Sequence, residues 1–205
     1  MAKIIQFKVD HVPEKFGPQP ARSNKQRKPQ GKGKELEKLG QLNLFTGGKV
    51  VRLNQISVFE EALMLDDQGD RTTARTRYMK AIEEHDSIAD AYCNLGILEF
   101  KEGNNTKAID FFTLCLKEEP RHFEAHYNLA NLYAEVGNFA LAKVHYSVSI
   151  EIEPNFPNSH FNLGLTLAMN KEFAEAINAL KHYRQLTPKT EHGQVDELIR
   201  KLIST

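Results

Sequence analysis

The chain has only two cysteines, Cys93 and Cys115. That is too few for a disulfide framework and short of the three or four protein ligands of a zinc site, so both read as buried or half-buried thiols on helical positions. No apolar run approaches the roughly eighteen residues of a membrane span. Met1 to Lys8 is too short, and too quickly followed by charge, to be a secretory signal, so the expected location is the cytoplasm with no membrane contact. Catalytic signatures are also lacking: there is no Walker loop, dinucleotide fingerprint or nucleophile elbow. His122-Phe123-Glu124-Ala125-His126 misses the spacing of zinc proteases because Glu124 is displaced by one. His126 and His160 recur at equivalent places and read as packing residues. No enzyme activity, cofactor or metal is expected.

Net charge is missing as well: 27 Lys and Arg balance 27 Asp and Glu. The balance hides an asymmetry. Residues 1–54 hold twelve basic against four acidic side chains, a surplus of +8, which leaves 55–205 at −8. The chain reads as a basic arm on an acidic body. Ile4 to Val9 has the pattern of a short strand that Pro13, Pro18 and Pro20 stop. From Gly17 to Lys34 there is almost no apolar side chain to offset the entropy of ordering, about 1–2 kcal/mol per residue, so the arm (1–40) is expected to be largely disordered. Lys15, Arg22, Lys25, Arg27, Lys28, Lys32 and Lys34 suit either a solvated linker or a nucleic-acid contact through phosphates, although no aromatic interleaves the charges to stack on a base. Within 41–54, two short apolar runs flank Thr46-Gly47-Gly48, the pattern of a β-hairpin.

What the sequence does have is repetition. Ala91-Tyr92-Cys93-Asn94-Leu95-Gly96 returns 34 residues later as Ala125-His126-Tyr127-Asn128-Leu129-Ala130, and Gly103, Ala108, Phe112 and Pro120 return as Gly137, Ala142, Tyr146 and Pro154. A fixed period of this kind predicts a stacked array of helical hairpins. Extending the frame gives units 55–88, 89–122, 123–156 and 157–190. Small residues (Ala62 and Ala74, Gly96 and Ala108, Ala130 and Ala142, Gly164 and Ala176) mark where paired helices approach. Gly69, Gly103 and Gly137 stand at left-handed helix ends, followed by Asp70, Asn104 or Asn105, and Asn138 as N-caps. Lys171 takes the glycine's place in the last unit, and Asp86 stands where the first unit should have proline. Beyond them, 191–205 carries Val195, Leu198, Ile199, Leu202 and Ile203 at helical spacing, as a capping helix or a dimerisation helix requires.

These residues resemble the tetratricopeptide pattern. The resemblance implies an all-α fold, a right-handed α-solenoid of four hairpins plus the capping helix. It also implies a concave groove lined by the first helix of each hairpin. Places facing inward then hold Phe59, Cys93, Tyr127 and Phe161, with Leu63, Ile97, Asn131 and Leu165 four residues further on, an apolar and aromatic lining. Only Lys101 supplies a cation there, which argues against clamping of an acidic C-terminal tail. Asn94, Asn128 and Asn162 recur at 34-residue intervals. Each amide carries a donor and an acceptor, so the row either pairs with the backbone of an extended peptide, similar to the asparagine ladder of the O-linked N-acetylglucosamine transferase, or merely hydrates the inner face. The expected function is a non-enzymatic scaffold binding an extended peptide of a protein partner. The alternatives are a nucleic-acid-associated regulator using the basic arm, and an accessory subunit or homodimer.

Overall fold

The computed structural model describes residues 17–22 and 56–204. Among them the ordered elements are nine α-helices and one 3-10 turn, with no strand. The helices are α1 (Val58–Asp67), α2 (Arg71–Glu83), α3 (Ile88–Lys101), α4 (Asn105–Glu118), α5 (Phe123–Glu135), α6 (Phe139–Ile152), α7 (Pro157–Met169), α8 (Phe173–Leu186) and α9 (His192–Ile203). The expected hairpin at 41–54 and most of the expected arm lie outside the described residues. One part of the arm does not, and there the expectation of disorder fails: the Gln19 and Ala21 backbones are held by hydrogen bonds, and the Ala21 side chain is wholly buried.

The chain divides into two compact units, one holding 22–91 and the other 1–21 with 92–205. In the first, α1 and α2 form a hairpin. Ser57 and Glu60 make a capping box, each side chain accepting the other's backbone N–H at 3.2 and 3.0 Å, which closes the free end of α1. Asp86, the residue standing in for proline, accepts the Phe59 N–H at 2.9 Å and caps the same helix end. Phe59 and Tyr78 meet with ring centroids 5.8 Å apart over the buried Ala62 and Ala74. Gly69 turns the corner at φ +85°, and Asp70 caps α2 by accepting from the Thr73 N–H.

In the second unit each helix from α5 onward packs on the one before it, and α5 also touches α7. The reason is visible at the small residues. A Cβ on Gly96 would stand 2.6 Å from the Phe112 ring, and one on Gly164 would stand 2.7 Å from Leu180, so these hairpins close only because the methyl is missing. Tyr127, Ala130, Ala142 and Tyr146 form one core cluster, with Phe156 packed edge-on to Tyr127 at 5.2 Å. Gly103 and Gly137 turn at φ +78°, and Lys171, in the equivalent turn, is held at φ +65° despite its side chain. Asn138 caps α6 as expected, whereas Asn104 caps α4 without a side-chain bond and gives its amide to Glu99 instead. Val195, Ile199 and Leu202 of α9 are buried in one cluster with Ala179, Leu180 and Tyr183 of α8, covering that hairpin's apolar face.

Candidate functional site

The 34-residue recurrence puts Asn94 on α3, Asn128 on α5 and Asn162 on α7, and all three are buried, the first two completely. What buries Asn94 and Asn128 is the chain's own segment 17–21. Asn128 Oδ1 accepts the Gln19 N–H at 2.9 Å, and its Nδ2 donates to the Gln19 carbonyl at 2.9 Å. Two residues on, Asn94 Oδ1 accepts the Ala21 N–H at 2.8 Å and its Nδ2 donates to the Ala21 carbonyl at 3.0 Å. Each side-chain amide thus pairs with both polar groups of one residue, as a neighbouring strand would. One repeat of the protein advances two residues of the segment, which runs from the later repeat to the earlier one.

The segment's sequence suits this role. Pro18 and Pro20, which have no N–H to satisfy, alternate with Gln19 and Ala21, whose N–H groups are used. A residue before proline is biased towards extended backbone, so Gly17 and Gln19 are partly shaped in advance. Four hydrogen bonds of about 0.5–1.5 kcal/mol each hold the contact. The rungs themselves are uncharged amides. Asn128 Nδ2 also reaches Cys93 Sγ at 3.7 Å, and burial pushes that thiol well above its ordinary range, so it stays protonated.

The third asparagine joins a different set of groups. Asn162 Nδ2 donates to Tyr127 Oη at 3.0 Å and to Asn131 Oδ1 at 2.9 Å, and Asn131 Oδ1 also accepts from Tyr146 Oη at 2.5 Å. Burial raises the hydroxyl pKa of both tyrosines, so both remain donors across the physiological range. Asn131, Asn162 and Leu165 line a cavity of about 530 Å³ together with Phe100, Tyr146 and Met169, and Gly17 and Pro18 form its wall on the segment side. The remaining apolar residues expected in the groove are in the interior. Phe59 packs on Tyr78, Tyr127 on Tyr146, Phe161 on Tyr183, and Ile97 is 2% exposed. Phe59, Tyr127 and Phe161 serve the hairpin core because their rings fill the space beside the small residues.

One cluster was not legible from residue counts. Cys93, Cys115 and His122 are buried with their ligand atoms within 4.8 Å of one another, so a histidine adds itself to the two thiols judged too few for a metal. His122 already has a structural task, its Nδ1 accepting the Ala125 N–H at 3.2 Å as the cap of α5. Any metal would have to remove the proton of the Cys93 thiol, whose pKa burial raises.

The chain belongs to the tetratricopeptide repeat family, whose models match residues 59–114, 123–156 and 145–178. A search of curated proteins found no match. Among solved structures, MamA AMB-1 is similar at a TM-score of 0.61 and 21% identity, over 73% of this chain and 81% of that one. The first TPR of Spaghetti (RPAP3) bound to the HSP90 peptide SRMEEVD is similar at 0.53 and 19%, over 57% and 90%. The TPR2B domain of yeast Sti1 in complex with pHsp70 is similar at 0.52 and 22%, over 57% and 96%. At these identities the likeness is one of fold.

Proposed function

We propose that this protein is a non-enzymatic interaction module that holds an extended peptide of a protein partner by its backbone, with Asn94 and Asn128 as the gripping residues. The observation that carries the reading is the double pairing of each amide with a single residue, at 2.8–3.0 Å, in a register of two residues per repeat. Such pairing reads main chain, which every peptide has, and leaves selection to the side chains between and beyond the rungs. Of the solved structures similar in fold, one is bound to an HSP90 peptide and another is a complex with pHsp70, which supports peptide binding as the use of this architecture. The uncharged rungs favour a different mode from capture of an acidic tail.

Replacing Asn94 and Asn128 together by Ala in the full chain tests the reading. The Gln19 and Ala21 amides are then expected to exchange with solvent at least about tenfold faster, since each loses a bond worth about a kcal/mol and the segment loses its hold. Helicity should be retained, while Tm falls by roughly 5–11 °C as a hold worth about a hundredfold is lost. Unchanged exchange at both amides would remove the two asparagines from the function.

A further inference from the structure

The groove is filled by the protein itself. We infer that Gly17–Ala21 is a built-in occupant that keeps the groove closed, and that it yields to an extended peptide of the same direction and register bearing an apolar side chain in place of Gly17. The inference rests on the peptide-binding reading above and adds to it both a regulation and a description of the partner.

Three observations carry it. The segment uses both hydrogen-bonding groups of both rungs, so no second peptide pairs with Asn94 or Asn128 while it is in place. The Ala21 side chain is 0% exposed, which requires a small residue at the Asn94 rung. At the other end the fit is poor. Gly17 borders the 530 Å³ cavity, where Phe100, Ala134, Leu165, Met169 and the Tyr146 ring stand beside the polar Asn131, Glu135, Asn162 and Thr166, and it contributes no side chain to it. Asn131 lines the same cavity, and its buried Nδ2 has no hydrogen-bond partner among the described residues. An occupant with a leucine or phenylalanine at this register fills space that the described residues leave empty. Burying such a side chain is worth roughly a factor of ten to a hundred in affinity.

Covalent attachment explains why a weak occupant suffices. A tethered segment faces its groove at an effective concentration on the order of millimolar, whereas a partner arrives at far lower concentration. The protein's own sequence therefore wins over a free copy of itself and loses only to a peptide with additional contacts. The missing side chain at Gly17 makes the segment displaceable.

The test uses the full chain throughout. Gln19→Pro with Ala21→Pro removes both backbone donors of the segment and alters no groove residue. A labelled peptide of residues 15–24, wild type or with Gly17→Leu, is titrated against the wild-type chain, against this unlatched variant, and against the unlatched variant with Asn94→Ala and Asn128→Ala. The wild-type peptide is expected to bind the unlatched chain on the order of a hundredfold more tightly than the wild-type chain. Gly17→Leu should gain about tenfold or more on both, and the two alanines should abolish binding. Equal affinity for wild-type and unlatched chains, lost with the two alanines, would overturn self-occlusion while leaving the peptide-binding reading intact. Absence of binding to the unlatched chain, or binding indifferent to the alanines, would overturn that reading itself. A doubled mass of the wild-type chain that becomes single on unlatching would assign the segment to a neighbouring copy and overturn closure within one chain.

Discussion

Gly96→Ala sets two magnitudes of opposite sign against each other. Gly96 lies within α3, where alanine is favoured over glycine by about 0.8–1 kcal/mol on helix propensity alone. The new Cβ would stand 2.6 Å from Phe112 Cε1, 2.7 Å from Cδ1 and 3.0 Å from Cζ. Comfortable carbon contacts are about 3.5–4.0 Å, so half the ring must move by nearly an ångström. Phe112 is 0% exposed and cannot swing into solvent. Overpacking of this kind costs about 1–3 kcal/mol, and with three ring atoms involved the upper end applies. The net expectation is a loss of about 2 kcal/mol, read as a lower denaturant midpoint with unchanged slope, or a fall in Tm of roughly 4–8 °C. Phe112→Leu removes the obstructing ring, so the double variant should lose less than the sum of the two single ones, with a coupling of at least about 1 kcal/mol. A Gly96→Ala chain more stable than wild type by the propensity value would refute close approach of α3 and α4 at this glycine.

Two further outcomes follow from particular groups. Burial, reinforced by the neighbouring His126 whose Nδ1 lies 3.0 Å away, lowers the pKa of His145 from its ordinary 6.5 to about 4. The unfolded chain then takes up the proton first as pH falls, so the stability contributed by neutral His145 is complete above about pH 6.5 and is lost on the way down to about 4. His145→Phe, the residue type found one repeat earlier at Phe111, should flatten the fall in Tm across that window, and an identical slope in the variant would contradict the assignment. Lys171 sits at φ +65°, a conformation that costs a side chain about 1–2 kcal/mol. Lys171→Gly removes that strain while increasing the entropy of the unfolded chain by about 0.5–1 kcal/mol, so a net gain of roughly half to one kcal/mol in a denaturation curve is expected, and a loss would contradict it.

The parts of this molecule governed by spacing were legible in the sequence. Gly96 and Ala108, or Gly164 and Ala176, mark a helix pair because a close approach demands a missing side chain wherever it recurs. The three asparagines stood out by the same arithmetic. Legibility stopped where a residue's task depends on something distant in the chain. Pro18-Gln19-Pro20-Ala21 looks unstructured on composition because its binding surface, Asn94 and Asn128, is 73 and 109 residues away. The alternation of proline with residues that keep their N–H was the available signal. Phe59, Tyr127 and Phe161 look like groove residues in the sequence because one helix considered alone does not reveal the second helix that covers it, as Tyr78 covers Phe59. Cys93, Cys115 and His122 converge only through the stacking of three helices, which a count of cysteines does not capture.

The central claim is that Asn94 and Asn128 recognise main chain, and backbone methylation tests it most directly. Peptides of residues 15–24 are compared on the unlatched full chain: one N-methylated at Gln19 and Ala21, one unmethylated with Gln19→Ser. N-methylation deletes the two donors that the asparagine oxygens accept and is expected to weaken binding by at least about tenfold, whereas the serine peptide should bind nearly as well as the original. Full affinity for the methylated peptide, or loss of affinity for the serine peptide alone, would show that side chains are being read and would contradict the account.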